Sequence, residues 1–263
     1  MRLGSTKGTN ALLERKTAKV GLIVNLGLED HLYIRDQRRE DLFALSPKRT
    51  KPFYHAVAGI SFRRRADGQQ EGLLNEEEIV KIARQWKTDG IEAVAVCLMN
   101  AYAYPEDEEK IREILEAEGM RFLSTSFECA PFIEWIPRCE TVVINASLEP
   151  IMKGYLDRIQ NLLSEESRLW IMTSSGGLVS RNSFQAKDGL LSGPAGGVVG
   201  VASLASQVGR EKWIGFDMGG TSADVCRYDG QLDYRFECRV GESRAMAPSL
   251  KIETVAAGGG SIC

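Results

Sequence analysis

Residues 213–225 read W-I-G-F-D-M-G-G-T-S-A-D-V, and no other stretch limits the possible fold so tightly. Trp213, Ile214 and Phe216 suit a buried strand, and Asp217 stands where that strand stops. Gly219 and Gly220 lack a Cβ, so the backbone can adopt dihedrals closed to other residues and bring successive N–H groups to an anion. Thr221 and Ser222 add hydroxyl donors, and Val225 resumes a second strand. The pattern predicts a central strand running into a phosphate-binding hairpin. A carboxylate beside such a loop repels bare phosphate unless a cation lies between them. Asp217 therefore implies Mg²⁺, held largely through water as that ion prefers. Taken alone, Asp-x-Gly-Gly is equally compatible with a plain turn between two strands.

The flanks add weight to the phosphate reading. Gly193-Pro194-Ala195-Gly196-Gly197-Val198-Val199-Gly200 reads as the start of a helix of very small residues. Glycine inside a helix costs roughly 1 kcal/mol relative to alanine, and close approach of the hairpin would offset that cost. Asp229-Gly230 marks a hairpin turn. Strands are expected over 234–240 and 250–256, followed by a second glycine loop, Ala257-Gly258-Gly259-Gly260-Ser261. Upstream, the apolar run 169–172 leads into Thr173-Ser174-Ser175-Gly176-Gly177, a polar loop at the carboxyl end of a strand, the edge where open α/β sheets bind ligands.

The middle of the chain alternates helix and strand. Asn75 with Glu78 forms a capping box, Ile79, Ile82, Ala83 and Trp86 share a helical face, and Gly90 ends that helix. Residues 91–99 are a near-continuous apolar run, the mark of a strand covered on both faces. Pro105 opens an acidic first turn suited to the positive end of a helix, with Ile111, Ile114 and Leu115 on its apolar stripe. Residues 20–24 and 122–126 complete a set of strands, so a mostly parallel sheet with helices on both faces is expected. Arg63-Arg64-Arg65 reads as an exposed face, Thr9 or Asn10 as the cap of the first helix, and 138–163 as a long helical region interrupted at Pro150.

Composition narrows the function classes. A net charge of −3 gives no electrostatic reason to expect nucleic acid. No run of apolar residues is long enough to span a bilayer, which leads to the expectation of no membrane partner and a cytoplasmic location. Six cysteines without a C-x-x-C spacing indicate neither a zinc knuckle nor a redox motif, and two histidines exclude a His-rich metal site within this sequence.

Met172-Thr173-Ser174-Ser175-Gly176-Gly177-Leu178, Leu191-Ser192-Gly193-Pro194-Ala195-Gly196-Gly197, Asp217-Met218-Gly219-Gly220-Thr221-Ser222 and Ala257-Gly258-Gly259-Gly260-Ser261 occur in this order. Together they resemble the hydantoinase A / 5-oxoprolinase family, which includes acetone carboxylase beta subunits. The resemblance implies an α/β, actin/Hsp70/sugar-kinase-like (ribonuclease H-like) ATPase fold in two incomplete subdomains, 1–140 and 141–263. It implies ATP and Mg²⁺ as cofactors. Asp217 would be the catalytic, metal-positioning carboxylate, with Gly219, Gly220, Thr221, Ser222, Gly258, Gly259 and Gly260 around the nucleotide. The implied reaction is ATP-dependent hydrolysis of a cyclic amide such as a hydantoin or 5-oxoproline: phosphorylation of the inert amide oxygen lets water open the ring. A hydantoinase B-type partner subunit goes with it. An acetone-type carboxylase subunit and a non-catalytic remnant or interaction module are the alternatives.

Family members carry a first Asp-x-Gly-Gly-Thr hairpin ahead of the stretch that opens this sequence and a further region after it. A fragment is therefore expected, with an unpaired sheet edge and exposed apolar surface. The resemblance also sets His31, Arg35, Gln37, Arg38 and Arg39 near the active cleft, although from the residues alone that segment reads as solvated surface. Asn25-Leu26-Gly27-Leu28-Glu29-Asp30 departs from the Thr-Thr pair and aromatic residue of the family pattern.

Overall fold

The computed structural model describes residues 1–37, 43–46, 51–220, 222–255 and 257–260. The chain forms two compact bodies, one built from 11–154 with 241–246 and the other from 1–10, 155–240 and 247–263.

The first body is a four-stranded parallel sheet. Strands β1 (Val20–Asn25), β2 (Ala56–Ile60), β3 (Ala93–Cys97) and β4 (Phe122–Thr125) lie in the order β2-β1-β3-β4. The register sets Leu22 beside Val57, Ile23 beside Val96 and Val94 beside Leu123. Every residue of β1 and β3 is buried, because helices cover both faces as the continuous apolar runs require. On one face, Ile23, Val94 and Val96 pack on Ile79, Ala83 and Trp86 of helix α1 (Glu76–Thr88) and on Ile111 and Leu115 of α2 (Glu106–Ala117). On the other, Leu22, Val24, Ala95 and Cys97 pack on Cys139, Val142, Val143 and Ala146 of α3 (Trp135–Leu162). The Asn75 side chain accepts the Glu78 N–H at 3.3 Å, and Gly90 takes φ +74° after α1 ends, both as expected.

Three local expectations are corrected. Arg63-Arg64-Arg65 is not simply an exposed face: Arg64 is largely buried and grips Asp107 through two bonds of 2.6 and 2.7 Å. The acids of the α2 first turn thus do more than face a helix dipole. Helix α3 runs unbroken through Pro150, whose missing N–H removes one bond without ending the helix. The first helix is Lys7–Leu13 and begins ahead of Thr9, with the Lys7 N–H donating to the Ser5 hydroxyl at 3.1 Å. Residues 1–10 belong with the second body because the strand Arg2–Leu3 pairs in parallel with β5 (Trp170–Met172). The first body takes helix α3 as far as Gly154, and the second continues from Tyr155.

In the second body, β5 also pairs antiparallel with β6 (Leu178–Ser180), over Leu156, Leu169, Ile171 and Phe184. Helix α4 (Ser192–Val208) follows and packs on a three-stranded antiparallel sheet of β7 (Lys212–Met218), β8 (Ala223–Asp229) and β9 (Ile252–Val255), in that order. The expected strand 234–240 breaks into Tyr234–Arg235 and Cys238–Val240, and 250–256 into Ser249–Leu250 and β9, with Ala256 outside the described residues.

The strand and hairpin at 213–225 form as expected, but β7 is neither central nor buried. Among the described residues it pairs only with β8, and Ile214, Phe216 and Met218 are 77%, 63% and 56% exposed. Helix α4 covers only the opposite face, through Ala195, Val198, Val199 and Val201 against Cys226 and Ile252. The glycines of α4 do not make that contact. Among the described residues a Cβ on Gly196, Gly197 or Gly200 would meet nothing within 4 Å, so the close approach expected of them is not seen there. It is Gly215, on the strand, that the helix crowds.

Candidate phosphate and metal site

Antiparallel pairing sets Asp217 directly opposite Asp224, with Met218 opposite Ala223 at the end of the ladder. The turn closes where the Gly219 N–H donates to the Ser222 carbonyl at 2.9 Å. Across the next strand pair Thr254 is in register with Asp224, and its Oγ1 donates to Asp224 Oδ1 at 2.6 Å. Residues opposite one another share a face, so two carboxylates and a hydroxyl project together at the hairpin end. Like charges in that position repel. A divalent cation removes the conflict.

The second glycine loop is bonded to the first. Gly259 N–H donates to the Gly219 carbonyl at 2.9 Å and Gly260 N–H to the Gly220 carbonyl at 2.8 Å. A Cβ on Gly260 would lie 3.0 Å from the Gly220 oxygen, a tight contact to which one of the two loops would have to yield. Gly258 leads into the same turn. Gly259 and Gly260 thus spend their amide hydrogens bracing the hairpin turn. Thr221 and Ser261, like Arg38 and Arg39, lie outside the described residues.

The Asp217–Asp224 pair suits Mg²⁺ by its chemistry: hard oxygen donors, and few of them, for an ion that keeps most of its waters. Among the described residues no group of three or more His, Cys, Asp or Glu could hold a metal. Asp224 as the second carboxylate was invisible without strand register, since only the pairing fixes which residue faces Asp217.

The serine-glycine loop of the same body has a clear structural task. Ser174 is fully buried; its Oγ donates to the Asp188 carbonyl at 2.8 Å and accepts the Leu191 N–H at 2.9 Å, and its carbonyl takes the Leu250 N–H at 2.8 Å. Gly176 has φ +82°, where a Cβ would meet Leu250 Cδ1 at 2.9 Å. Buried Lys187 bonds Asp188 at 2.6 Å beside it; a Lys-Asp dipeptide gives no sequence signal of such burial. Ser192 Oγ donates to the Ser5 carbonyl at 3.0 Å and accepts the Ser5 N–H at 3.1 Å, which ties the opening residues to the start of α4.

In the first body, His31 meets Trp135 edge-on at 5.5 Å, a packing contact, while the Arg35 Nε donates to Glu140 at 2.7 Å.

Residues 138–263 match the family described as hydantoinase/oxoprolinase, and residues 1–119 match its N-terminal region. The chain belongs to the hydantoinase/oxoprolinase family. It is 36% identical to the 5-oxoprolinase of Saccharomyces cerevisiae, over its whole length but only 23% of that relative. It is 30% identical to the caprolactamase subunit alpha of Pseudomonas jessenii, over 98% of this chain and 39% of the relative. The solved structure of the ATP-dependent caprolactamase from that organism superposes with a TM-score of 0.84 at 29% identity, covering 98% of this chain and 39% of the other. A nucleotide-free acetone carboxylase superposes at 0.83 with 24% identity, a likeness of fold. The family's α/β architecture is thus present across nearly the whole chain. Among the described residues no helix is long and apolar enough to cross a membrane.

Proposed function

We propose that this chain carries a magnesium- and phosphate-binding site of an ATP-dependent hydrolase of cyclic amides, the hydantoin and 5-oxoproline class, on an actin/Hsp70/sugar-kinase-like ATPase fold. The observation that carries the reading is the Asp217–Asp224 pair at the end of a hairpin whose glycine turn is braced by a second glycine loop. Similarity to a 5-oxoprolinase and to a caprolactamase supports the cyclic amide as substrate class.

Mg²⁺, when bound, supplies positive charge against phosphoryl oxygens. The chain's own part is positional, as suits phosphoryl transfer, where catalysis is mostly placement and charge neutralisation. Asp217 and Asp224 would hold the cation, largely through its waters. The Gly219 N–H closes the turn on Ser222, so the donors offered to phosphate would be the Gly220 N–H and the hydroxyls of Thr221 and Ser222, with no side chain at Gly219 or Gly220 in the way. Gly258, Gly259 and Gly260 fix the shape of that turn. A hydantoinase B-type partner subunit is proposed with the activity, in keeping with the relative named as a caprolactamase subunit.

Substrate-dependent ATP hydrolysis by the protein carrying this chain, with 5-oxoproline, hydantoin and caprolactam offered in turn, tests the reading. One of the three is expected to stimulate ATP turnover, and Asp217→Asn to abolish it. Ring opening without ATP, or turnover indifferent to Asp217→Asn, would overturn it.

A further inference from the structure

Asp217, Asp224 and Thr254 stand in one row across β7, β8 and β9, each directly opposite the next in register. Neighbours in such a row share a face and have their Cβ atoms about 4.5–5.5 Å apart, close enough for both carboxylates to reach the waters of one ion. The two carboxylates are not held alike. Thr254 Oγ1 donates to Asp224 Oδ1 at 2.6 Å, a length typical of a hydroxyl bonded to a carboxylate. Among the described residues nothing bonds Asp224 Oδ2 or either carboxylate oxygen of Asp217.

Strand propensity alone accounts for a threonine at this position, but not for where its proton goes. Thr254 is exposed, so water competes for that proton, yet the hydroxyl is turned along the row onto the middle carboxylate. A hydroxyl has one proton to give. Given to Oδ1, it restrains the rotation of the Asp224 carboxylate and leaves Oδ2 as the oxygen open to a cation or its waters.

Resting on the reading of Asp217 and Asp224 as the carboxylates of the Mg²⁺ site, we propose that Thr254 is a positioning residue that selects the ion: by holding Asp224 Oδ1 it restricts that carboxylate to a single oxygen, and the site takes Mg²⁺ in preference to Ca²⁺. Mg²⁺ keeps several of its waters and demands near-ideal octahedral geometry, which a carboxylate offering one fixed oxygen suits. Ca²⁺ takes about six to eight oxygens and often binds carboxylates through both of theirs, which a hydroxyl on Oδ1 opposes. Groups that orient a metal's ligands from behind typically change metal affinity by roughly 10–100-fold.

Thermal melting of the protein without nucleotide, across separate Mg²⁺ and Ca²⁺ titrations, tests this, because an ion that binds the folded state raises the melting temperature by mass action. Thr254→Val keeps the β-branched shape and removes the hydroxyl; Thr254→Ser keeps the hydroxyl. The valine variant is expected to need about tenfold more Mg²⁺ for the same rise while its response to Ca²⁺ is unchanged or stronger, and the serine variant to follow the wild type with both ions. Melting without either ion reads any cost to the fold separately, and a purely structural role for Thr254 would move that value alone. Equal Mg²⁺ responses in the wild type and Thr254→Val, loss of the Mg²⁺ and Ca²⁺ responses in equal proportion, or failure of Thr254→Ser to retain Mg²⁺ binding would overturn the proposal. If Asp217→Asn abolishes the Mg²⁺ response and Thr254→Val retains it in full, the Mg²⁺ site stands and only the role of Thr254 falls. A wild-type protein indifferent to Mg²⁺ overturns both.

Discussion

Val201 of helix α4 lies so close to Gly215 of strand β7 that a β-carbon at residue 215 would come within 2.8 Å of its Cγ2 and within 2.6 Å of Cys226 Sγ on the neighbouring strand. Helix and hairpin strand are therefore held together at a point where only glycine fits. Gly215→Ala is expected to destabilise the protein by about 1–3 kcal/mol through overpacking. Gly197→Ala on α4 is expected to do the opposite: none of the described residues stands within 4 Å of its added Cβ, and helix propensity favours alanine by up to roughly 1 kcal/mol. Urea midpoints of the two variants should move in opposite directions. Two shifts of the same sign would count against this division of labour.

Asp217 and Asp224 face each other across β7 and β8, so the metal-free hairpin carries a repulsion that the bound cation would relieve. In magnesium-free buffer, Asp217→Asn should raise the melting temperature slightly, since cross-strand pairs contribute roughly 0.2–1 kcal/mol. Adding Mg²⁺ should then raise the wild-type melting temperature and leave the variant's unchanged. A variant that gains as much from Mg²⁺ as the wild type would place the cation elsewhere.

The parallel sheet was readable from the sequence because its strands are continuous apolar runs and its helices carry caps and stripes, all short-range signals. Asn75, Gly90 and residues 93–97 behave as their local chemistry dictates. What could not be read depended on pairing between distant residues. The apolar residues of β7 resemble those of a buried strand, yet Ile214 and Phe216 lie open because covering depends on what packs there, and among the described residues a helix covers only one face of this sheet. The α4 glycines suggested contact by their helical cost, while the decisive glycine was Gly215 on the partner strand. At the site, Asp217 and the two glycine loops were legible as motifs. Asp224 and the bonds from Gly259 and Gly260 to the first turn needed register.

Arg64 and Asp107 form a largely buried bidentate pair, with Arg64 also stacked over Tyr104 at 5.3 Å. Removing only Arg64 leaves the Asp107 carboxylate without its counter-charge, so Arg64→Ala is expected to cost about 3–5 kcal/mol. The double variant with Asp107→Asn should recover part of that loss, because the stranded charge is gone. Chemical denaturation of the single and double variants measures the coupling; strictly additive costs would mean that the pair contributes nothing jointly.

Glu108 gives the fold a pH dependence of defined sign. Its carboxyl group is fully buried, and burial pushes its pKa up from 4.5 to about 7, against the opposing pull of the Leu98 and Phe127 N–H groups, the Ser126 hydroxyl and nearby Arg138. Below pH 4.5 the group is protonated in folded and unfolded chains alike, and its contribution to stability is fully present. Between 4.5 and about 7 the unfolded chain gives up the proton while the folded chain keeps it, so stability falls as pH rises through that window. Above it the contribution is lost, a change on the order of 3 kcal/mol at 1.36 kcal/mol per pKa unit. Glu108→Gln cannot titrate. Its absolute stability should drop, since an amide NH₂ faces backbone donors where the carboxylate accepted from Leu98 at 2.8 Å and Ser126 at 2.7 Å, but its stability should vary less between pH 5 and pH 8 than the wild type's. Urea unfolding of both proteins across that range reads the slope separately from the level, and parallel curves would show that Glu108 ionises in the folded protein as it does in the unfolded chain.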